Sequence, residues 1–177
     1  MTHDVEIIHE TQLNAKDDRA IAALLKAAFT TNFYNRSYFQ QRHHLRLLIR
    51  EGDRVAAHIG LCLLDVRLGD AVLTVMGVGD VASAPDLRGQ GLASRLLKRA
   101  IDEARAGPAQ FMVLFGDRAM YAGHGFVAQP NMLRFVALED GHTGEIKTEP
   151  DETLMVLPLR DNEWDAKAPL DLMGHKF

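Results

Sequence analysis

Leu92, Leu96, Leu97, Ala100, Ile101 and Ala104 fall on one side of a 3.6-residue repeat, with Arg95, Lys98, Arg99, Asp102 and Glu103 on the other. This predicts an amphipathic helix that begins at Gly89–Ala93. An earlier apolar face, Ile21, Leu24, Leu25 and Phe29 within NAKDDRAIAALLKAAF, predicts a helix with Asn14 as its cap and acids near its start. YNRSYFQQRHH is read as a further short helix. The β-branched run VEIIHETQL predicts an opening strand. LRLLIRE, RVAAHIGLCLLDVRL and AVLTVMGVGDVASA predict three more, parted by the turn signals EGD and LGD at hairpin spacing. FMVLF, NMLRFVALE and TLMVLPL read as later strands, with a short helix around Arg118 to Ala122 and a polar loop at DGHTGEIKTEPDE. Strands, one helix crossing to a parallel strand, then strands again predict a mixed α/β fold in one domain over residues 1–177.

Composition narrows the class. The chain has 177 residues, 47% hydrophobic and 25% charged, as in an ordinary soluble domain. A net charge of −4 argues against general nucleic-acid binding. The one cysteine, Cys62, excludes a disulfide framework and argues against a thiolate metal site. MTHDVEII lacks the basic and apolar regions of a signal peptide. The longest apolar run, Val55 to Leu64, contains His58 and is about half of the ~20 residues a membrane span needs. These features predict a reduced, cytoplasmic protein with no membrane partner.

Two glycines, Gly89 and Gly91, stand at the mouth of the strongest helix, where each costs ~1 kcal/mol against alanine. The first turn of a helix leaves backbone N–H groups without partners, and its dipole adds partial positive charge. Glycines let an anion approach that backbone, so the site suits a phosphate or pyrophosphate, with Arg88 as a flanking charge. A tight turn with close helix–sheet packing would explain the same glycines. A P-loop is ruled out because Leu92 and Ala93 follow Gly91. A dinucleotide fingerprint, with Ser94 as third small residue and Asp117 as the acid, fits poorly because the preceding strands form hairpins. Gly77 and Gly79 inside VMGVGDVASAP mark a bulge or close backbone approach, and a bulged strand can splay from its neighbour to open a cleft.

Arg88-Gly89-Gln90-Gly91-Leu92-Ala93, preceded by Pro85 and Asp86, together with Tyr121-Ala-Gly-His-Gly-Phe126, resembles the two linked motifs of the GCN5-related N-acetyltransferase (GNAT) superfamily. The resemblance covers roughly Arg54 to Phe135. FMVLFGDRAMYAGHGF, RVAAHIGL and the tail LDLMGHKF are also similar, at a second level, to aminoglycoside N-acetyltransferases and nodulation protein A. The superfamily implies a central mixed, mostly antiparallel, splayed sheet flanked by helices, and acetyl-CoA as co-substrate. It implies that backbone amides of Arg88, Gly89, Gln90, Gly91, Leu92 and Ala93 hold the pyrophosphate. It further implies that Val81, Ala82 and Ser83 lie along the pantetheine arm, with a backbone N–H near Val81 facing the oxyanion.

The same resemblance makes Tyr121 the general acid for the departing thiolate; a phenol with a reference pKa near ~10 suits that task. A packing role with a satisfied hydroxyl is its alternative. Relatives often use a glutamate on the bulged strand as base. Here the acid is Asp80, one position from the aligned Gly79, so it faces the cleft only if the bulge resets the alternation of the strand. His58 has a suitable intrinsic pKa, although a histidine in an apolar run is more often a hydrogen-bonded core residue. His124 is read as incidental, and no metal is expected at His43 and His44, where no carboxylate or cysteine spacing supports one. Tyr34, with Tyr38 and Phe39, is expected to line the acceptor pocket. Asp171, aligned with the family's C-terminal acid, is expected to attract a cationic amine.

The reading is thus an N-acetyltransferase acting on a primary amine of a small molecule. A longer-chain acyltransferase and a catalytically silent CoA-binding module stay open, a nicotinamide-dependent dehydrogenase stands further off, and a homodimer is left open.

Overall fold

In a computed structural model describing residues 4–177, the chain divides into two compact units, each built from two segments. One combines Met1–Cys62 with Val78–Asp102, the other Leu63–Gly77 with Glu103–Phe177. Two long strands, β3 (Arg54–Leu68) and β4 (Ala71–Ser83), contribute to both.

The first unit forms around the early helix. α1 (Ala15–Ala28) starts where Asn14 accepts a hydrogen bond from the Asp17 N–H at 2.9 Å, as an asparagine cap predicts. Its inward residues Ile21, Leu24 and Leu25 pack with Phe33, Leu48, Val55, Ala82 and Ala84. β1 (Val5–His9) pairs antiparallel with β2 (Leu45–Glu51), and β2 pairs antiparallel with β3, with Leu48 opposite His58 and Arg46 opposite Gly60. β4 then leads through a one-turn 3-10 helix, Pro85–Leu87, to α2 (Leu92–Ala106), whose Leu92, Leu96, Leu97, Ala100 and Ile101 are buried. The apolar stripe read from the sequence is the face that α2 buries.

The second unit adds β5 (Phe111–Phe115), α3 (Ala119–Gly123), β6 (Val127–Ala128), β7 (Met132–Glu139), β8 (His142–Pro150), β9 (Leu154–Pro158) and β10 (Leu170–Asp171). Its hydrogen-bonded order is β6-β9-β5-β4-β3-β10-β7-β8. The β5–β9 and β7–β8 pairs are antiparallel and β10–β7 is parallel, so the sheet is mixed, as expected. Phe111, Val113, Leu133, Leu154, Val156 and Leu170 form its core, against which Trp164 and Phe177 pack. Asn131, buried, accepts from Trp164 Nε1 and donates to the carbonyls of Asp165 and Ala168, which ties the C-terminal segment down.

Two expectations are corrected here. YNRSYFQQRHH is not helical: Tyr34 and Asn35 take left-handed φ of 52° and 59°, and bends run to the start of β2. DGHTGEIKTEPDE is not a loop, since most of it forms β8, paired with β7 from Met132↔Pro150 to Glu139↔His142. The opening strand also ends earlier than read, at His9, before a 3-10 turn at Glu10–Gln12. Among the described residues, no helix is long and apolar enough to cross a membrane.

Candidate active site

The glycine loop lies in the first unit. Gly89 and Gly91 have φ of +81° and +76°, and a Cβ built on either would meet nothing within 4 Å. They are therefore required by the left-handed backbone of the turn they form and not by close packing against a neighbour. Gly89, Gln90 and Gly91 are exposed, Leu92 is buried and Ala93 half-buried. The helical hydrogen bonds begin with Arg95 N–H on the Gly91 carbonyl at 3.0 Å, so the amides before it belong to the turn that a helix leaves unclosed. The approach is fixed from both sides: both terminal nitrogens of Arg54 bind the Asp86 carboxylate, and Arg88 Nη2 donates to the Ala28 carbonyl at the end of α1 at 2.9 Å. The bond to Ala28 uses one of the five N–H donors of the Arg88 guanidinium, and the residue is exposed.

Just upstream, β4 breaks its alternation. Asp80 has φ +50°, a conformation that costs a non-glycine residue about 1–2 kcal/mol. Beyond it, the Ala84 N–H donates to the Ala56 carbonyl at 2.8 Å. Ala82 and Ala84 then enter the core, while Val81 and Ser83 are half-buried.

The Asp80 side chain is only 10% exposed. Its Oδ2 accepts from the Phe39 N–H at 3.1 Å and lies 3.5 Å from His43 Nε2. Burial pushes the carboxyl up to about 6, against the opposing pull of the Phe39 N–H and the Arg46 charge. At neutral pH it is mostly ionised yet has a greater affinity for a proton than an ordinary aspartate.

A polar network that the sequence reading missed lies behind Asp80. Arg46, fully buried, binds both oxygens of Glu10 at 2.7 and 2.9 Å, the Ser37 carbonyl at 2.6 Å and His58 Nε2 at 3.3 Å. His58 Nδ1 is 2.8 Å from the Asp80 carbonyl. Burial and then Arg46 depress His58 to about 3, so it is a neutral structural residue and not a base. Its signal in the sequence was one polar residue at an inward position of each of two paired strands, Arg46 in LRLLIRE and His58 in RVAAHIGL.

Tyr34 stands on the segment after α1, half exposed, with the Arg36 guanidinium over its ring at 5.4 Å. The aromatics beside it divide: Phe33 is buried and stacks with Phe29 and Phe39, while Arg36 and Arg42 cover Tyr38.

Tyr121 lies in the second unit, on α3. It is 6% exposed, edge-on to Phe126, and burial raises its phenol above the usual value. Among the described residues its hydroxyl has no hydrogen-bond partner. Gly116 makes room for the ring, since a Cβ there would come within 2.7 Å of Tyr121 Cε2. Gly125, at φ +91°, ends α3 so that the Phe126 N–H returns to the Tyr121 carbonyl at 3.1 Å. The Tyr-x-x-x-Gly-Phe motif is thus a device that fixes Tyr121. His124 Nδ1 faces the Met120 carbonyl at 2.9 Å. Asp171, also in the second unit and one-third exposed, meets Arg134 Nε at 3.4 Å through Oδ2 and accepts from the Met173 N–H at 2.8 Å through Oδ1.

A family model described as an acetyltransferase (GNAT) domain matches residues 11–127. No curated protein matches the sequence. A GNAT family acetyltransferase from Brucella melitensis, solved in complex with acetyl-CoA, is 20% identical, with 95% of each chain covered and a TM-score of 0.60. The GNAT family N-acetyltransferase YhbS from Escherichia coli, solved in complex with CoA, is 20% identical over 97% of this chain and 91% of that one, with a TM-score of 0.64. Escherichia coli ElaA is 18% identical over 88% of this chain and 99% of that one, at a TM-score of 0.60. At these identities the likeness is one of fold.

Proposed function

The chain belongs to the GNAT acetyltransferase family, and from that premise we propose that it transfers the acetyl group of acetyl-CoA to a primary amine of a small molecule by direct attack. The observation that carries the reading is Asp80, a buried carboxyl at a break in β4, nine residues before Gly89, with its proton affinity raised to about 6. A general base is most effective with a pKa near the working pH, and burial has moved this one in that direction.

In the proposed reaction the ionised Asp80 takes a proton from the acceptor's ammonium group. The freed amine attacks the thioester carbonyl carbon, the C–N bond forms, and the carbonyl electron pair moves to oxygen, where a backbone N–H near Val81 stabilises it. Collapse breaks the C–S bond, and the thiolate takes the proton of Tyr121. The proton that nitrogen gives up on becoming an amide restores Tyr121, and Asp80 releases its own to solvent. Backbone amides of Arg88–Ala93 hold the pyrophosphate, Val81–Ser83 run along the pantetheine arm, and Tyr34 contacts the acceptor. Asp171, whose side chain is one-third exposed, attracts the cationic acceptor.

The test is the melting temperature with acetyl-CoA, CoA, a long-chain acyl-CoA and NAD in parallel, followed by an amine screen with thiol detection. A ligand at ~100 times its dissociation constant adds ~2.7 kcal/mol of stability. A shift with acetyl-CoA and CoA but not NAD is the expected result. A larger shift with the long chain redirects the reading to longer acyl groups. No shift with any CoA species overturns it.

A further inference from the structure

Asp80 is gripped from both ends, and the bonding rules fix how. A carbonyl oxygen only accepts and a guanidinium only donates. His58 sits between one of each, so its proton is on Nδ1, pointing at the Asp80 carbonyl, and its Nε2 lone pair faces Arg46. Arg46 is satisfied by both Glu10 oxygens and holds His58 in that tautomer. The bond catches a strand residue at φ +50°.

The other end is His43, whose side chain is 2% exposed. Its ring lies flat on β3 because residue 60 is glycine: a Cβ there would sit 2.2 Å from His43 Cδ2. Nε2 faces the Asp80 carboxylate at 3.5 Å, while Nδ1 is buried with no partner among the described residues. The tautomer with the proton on Nε2 turns a donor to the carboxylate and buries only a bare acceptor. The reverse would set a lone pair against the carboxylate and bury an unmet N–H, the costlier arrangement. The one His43 contact and the Phe39 amide both fall on Oδ2, so Oδ1 is the oxygen left to receive a proton.

We propose that His43 and His58 are positioning residues that hold Asp80 by its carboxylate and its carbonyl, and so aim Oδ1 at the proton to be removed. This rests on the reading of Asp80 as the base. The charged and titratable groups around Asp80 are Arg46 on β2, His58 and Cys62 on β3, Glu10 beyond Arg46, and His43 on the segment before β2. Arg46 is the cation among them: its charge disfavours a charged His58 and favours the ionised Asp80.

The clamp can be read without any acceptor, by NMR of the 15N/13C-labelled protein between pH 5 and 8. His58 is expected as a neutral Nδ1–H ring and His43 as a neutral Nε2–H ring across that range. The Asp80 carboxyl carbon should titrate near 6 in the wild type. It should move up by about half a unit to one unit in His43→Leu, which loses the donor. In His43→Gln, whose amide can restore it, the titration should return toward wild type. A merely structural histidine would give no such rescue. Either ring in the opposite tautomer or charging within this range, or an unmoved Asp80 titration in His43→Leu, overturns the proposal. If His43→Leu does not fold, the wild-type tautomers alone decide. Full turnover by Asp80→Asn would instead refute the base reading while leaving the clamp standing.

Discussion

Asp80 and Tyr121 are both buried ionisable residues whose pKa burial raises, yet they are held by opposite means. Asp80 is surrounded by bonds: a backbone amide on its carboxylate, a histidine on its carbonyl, and a buried arginine and glutamate behind that histidine. Tyr121 is held by shape, with the edge of Phe126 and the space left by Gly116, and its hydroxyl takes no bond from the described residues. The contrast matches the tasks proposed for them. A base must keep its charge in a buried place and so needs donors and a nearby cation. An acid that rests neutral needs only an apolar wall and a defined direction.

Breaking each side tests the contrast. Asp80→Asn should lower kcat/KM by about 10²–10⁴-fold, the usual worth of a general base, in steady-state assays with acetyl-CoA and the accepted amine. It should also raise stability. The folded pKa of Asp80 lies above its unfolded value, so stability from this group falls as pH rises through about 4 to 6. At pH 8 the variant is expected to gain about 1–2 kcal/mol, an upward shift of about 2–8 °C in melting temperature that vanishes near pH 4. Arg46→Met should cost about 3–5 kcal/mol by denaturant titration, because it strands Glu10 and removes the donor to Ser37 and His58. Tyr121→Phe should leave the melting temperature within about 2 °C, since its hydroxyl bonds none of the described residues, and lower kcat by about 10²-fold, the low end for a general acid.

Smaller effects sharpen the comparison. His58 titrates far below its unfolded value, so its contribution is present at neutral pH and lost as pH falls from about 6.5 toward 3. Replacing it by asparagine, which keeps a donor for the Asp80 carbonyl, should flatten the fall in stability between pH 6.5 and 5 by about 2 kcal/mol. Gly91→Ala should cost about 1–2 kcal/mol through φ alone, since a Cβ there meets nothing, and should weaken acetyl-CoA binding measured by calorimetry.

What the sequence revealed and what it hid divide along the same line. α1 and α2 were legible because their apolar residues repeat every 3.6 positions and Asn14 marks a start. The glycine and Tyr-x-x-x-Gly-Phe motifs were legible because backbone conformation leaves a local trace, φ > 0 at Gly89, Gly91 and Gly125. β8 was hidden because almost every residue of it is exposed, so neither face carries an apolar alternation, and only its ladder with β7 makes it a strand. The segment at Tyr34–His44 was hidden because Arg46, Phe33 and two left-handed residues shape it, not its own periodicity. The orientation of Asp80 stayed conditional in the sequence: it depends on the left-handed φ of that residue and on His58 of β3 and Phe39 and His43 of the segment before β2, which only the fold brings to it.

Cys62, the single thiol of the chain, is 1% exposed and pushed up to about 12 by burial. It is therefore a poor nucleophile at any working pH. No cysteine of this protein is suited to carry the acetyl group between donor and acceptor, so kinetic lines at varied acetyl-CoA and amine should intersect and not run parallel as ping-pong exchange through a thiol requires. For the same reason a disulfide reagent added to the folded enzyme should count only the CoA set free, and its signal can be read directly as turnover.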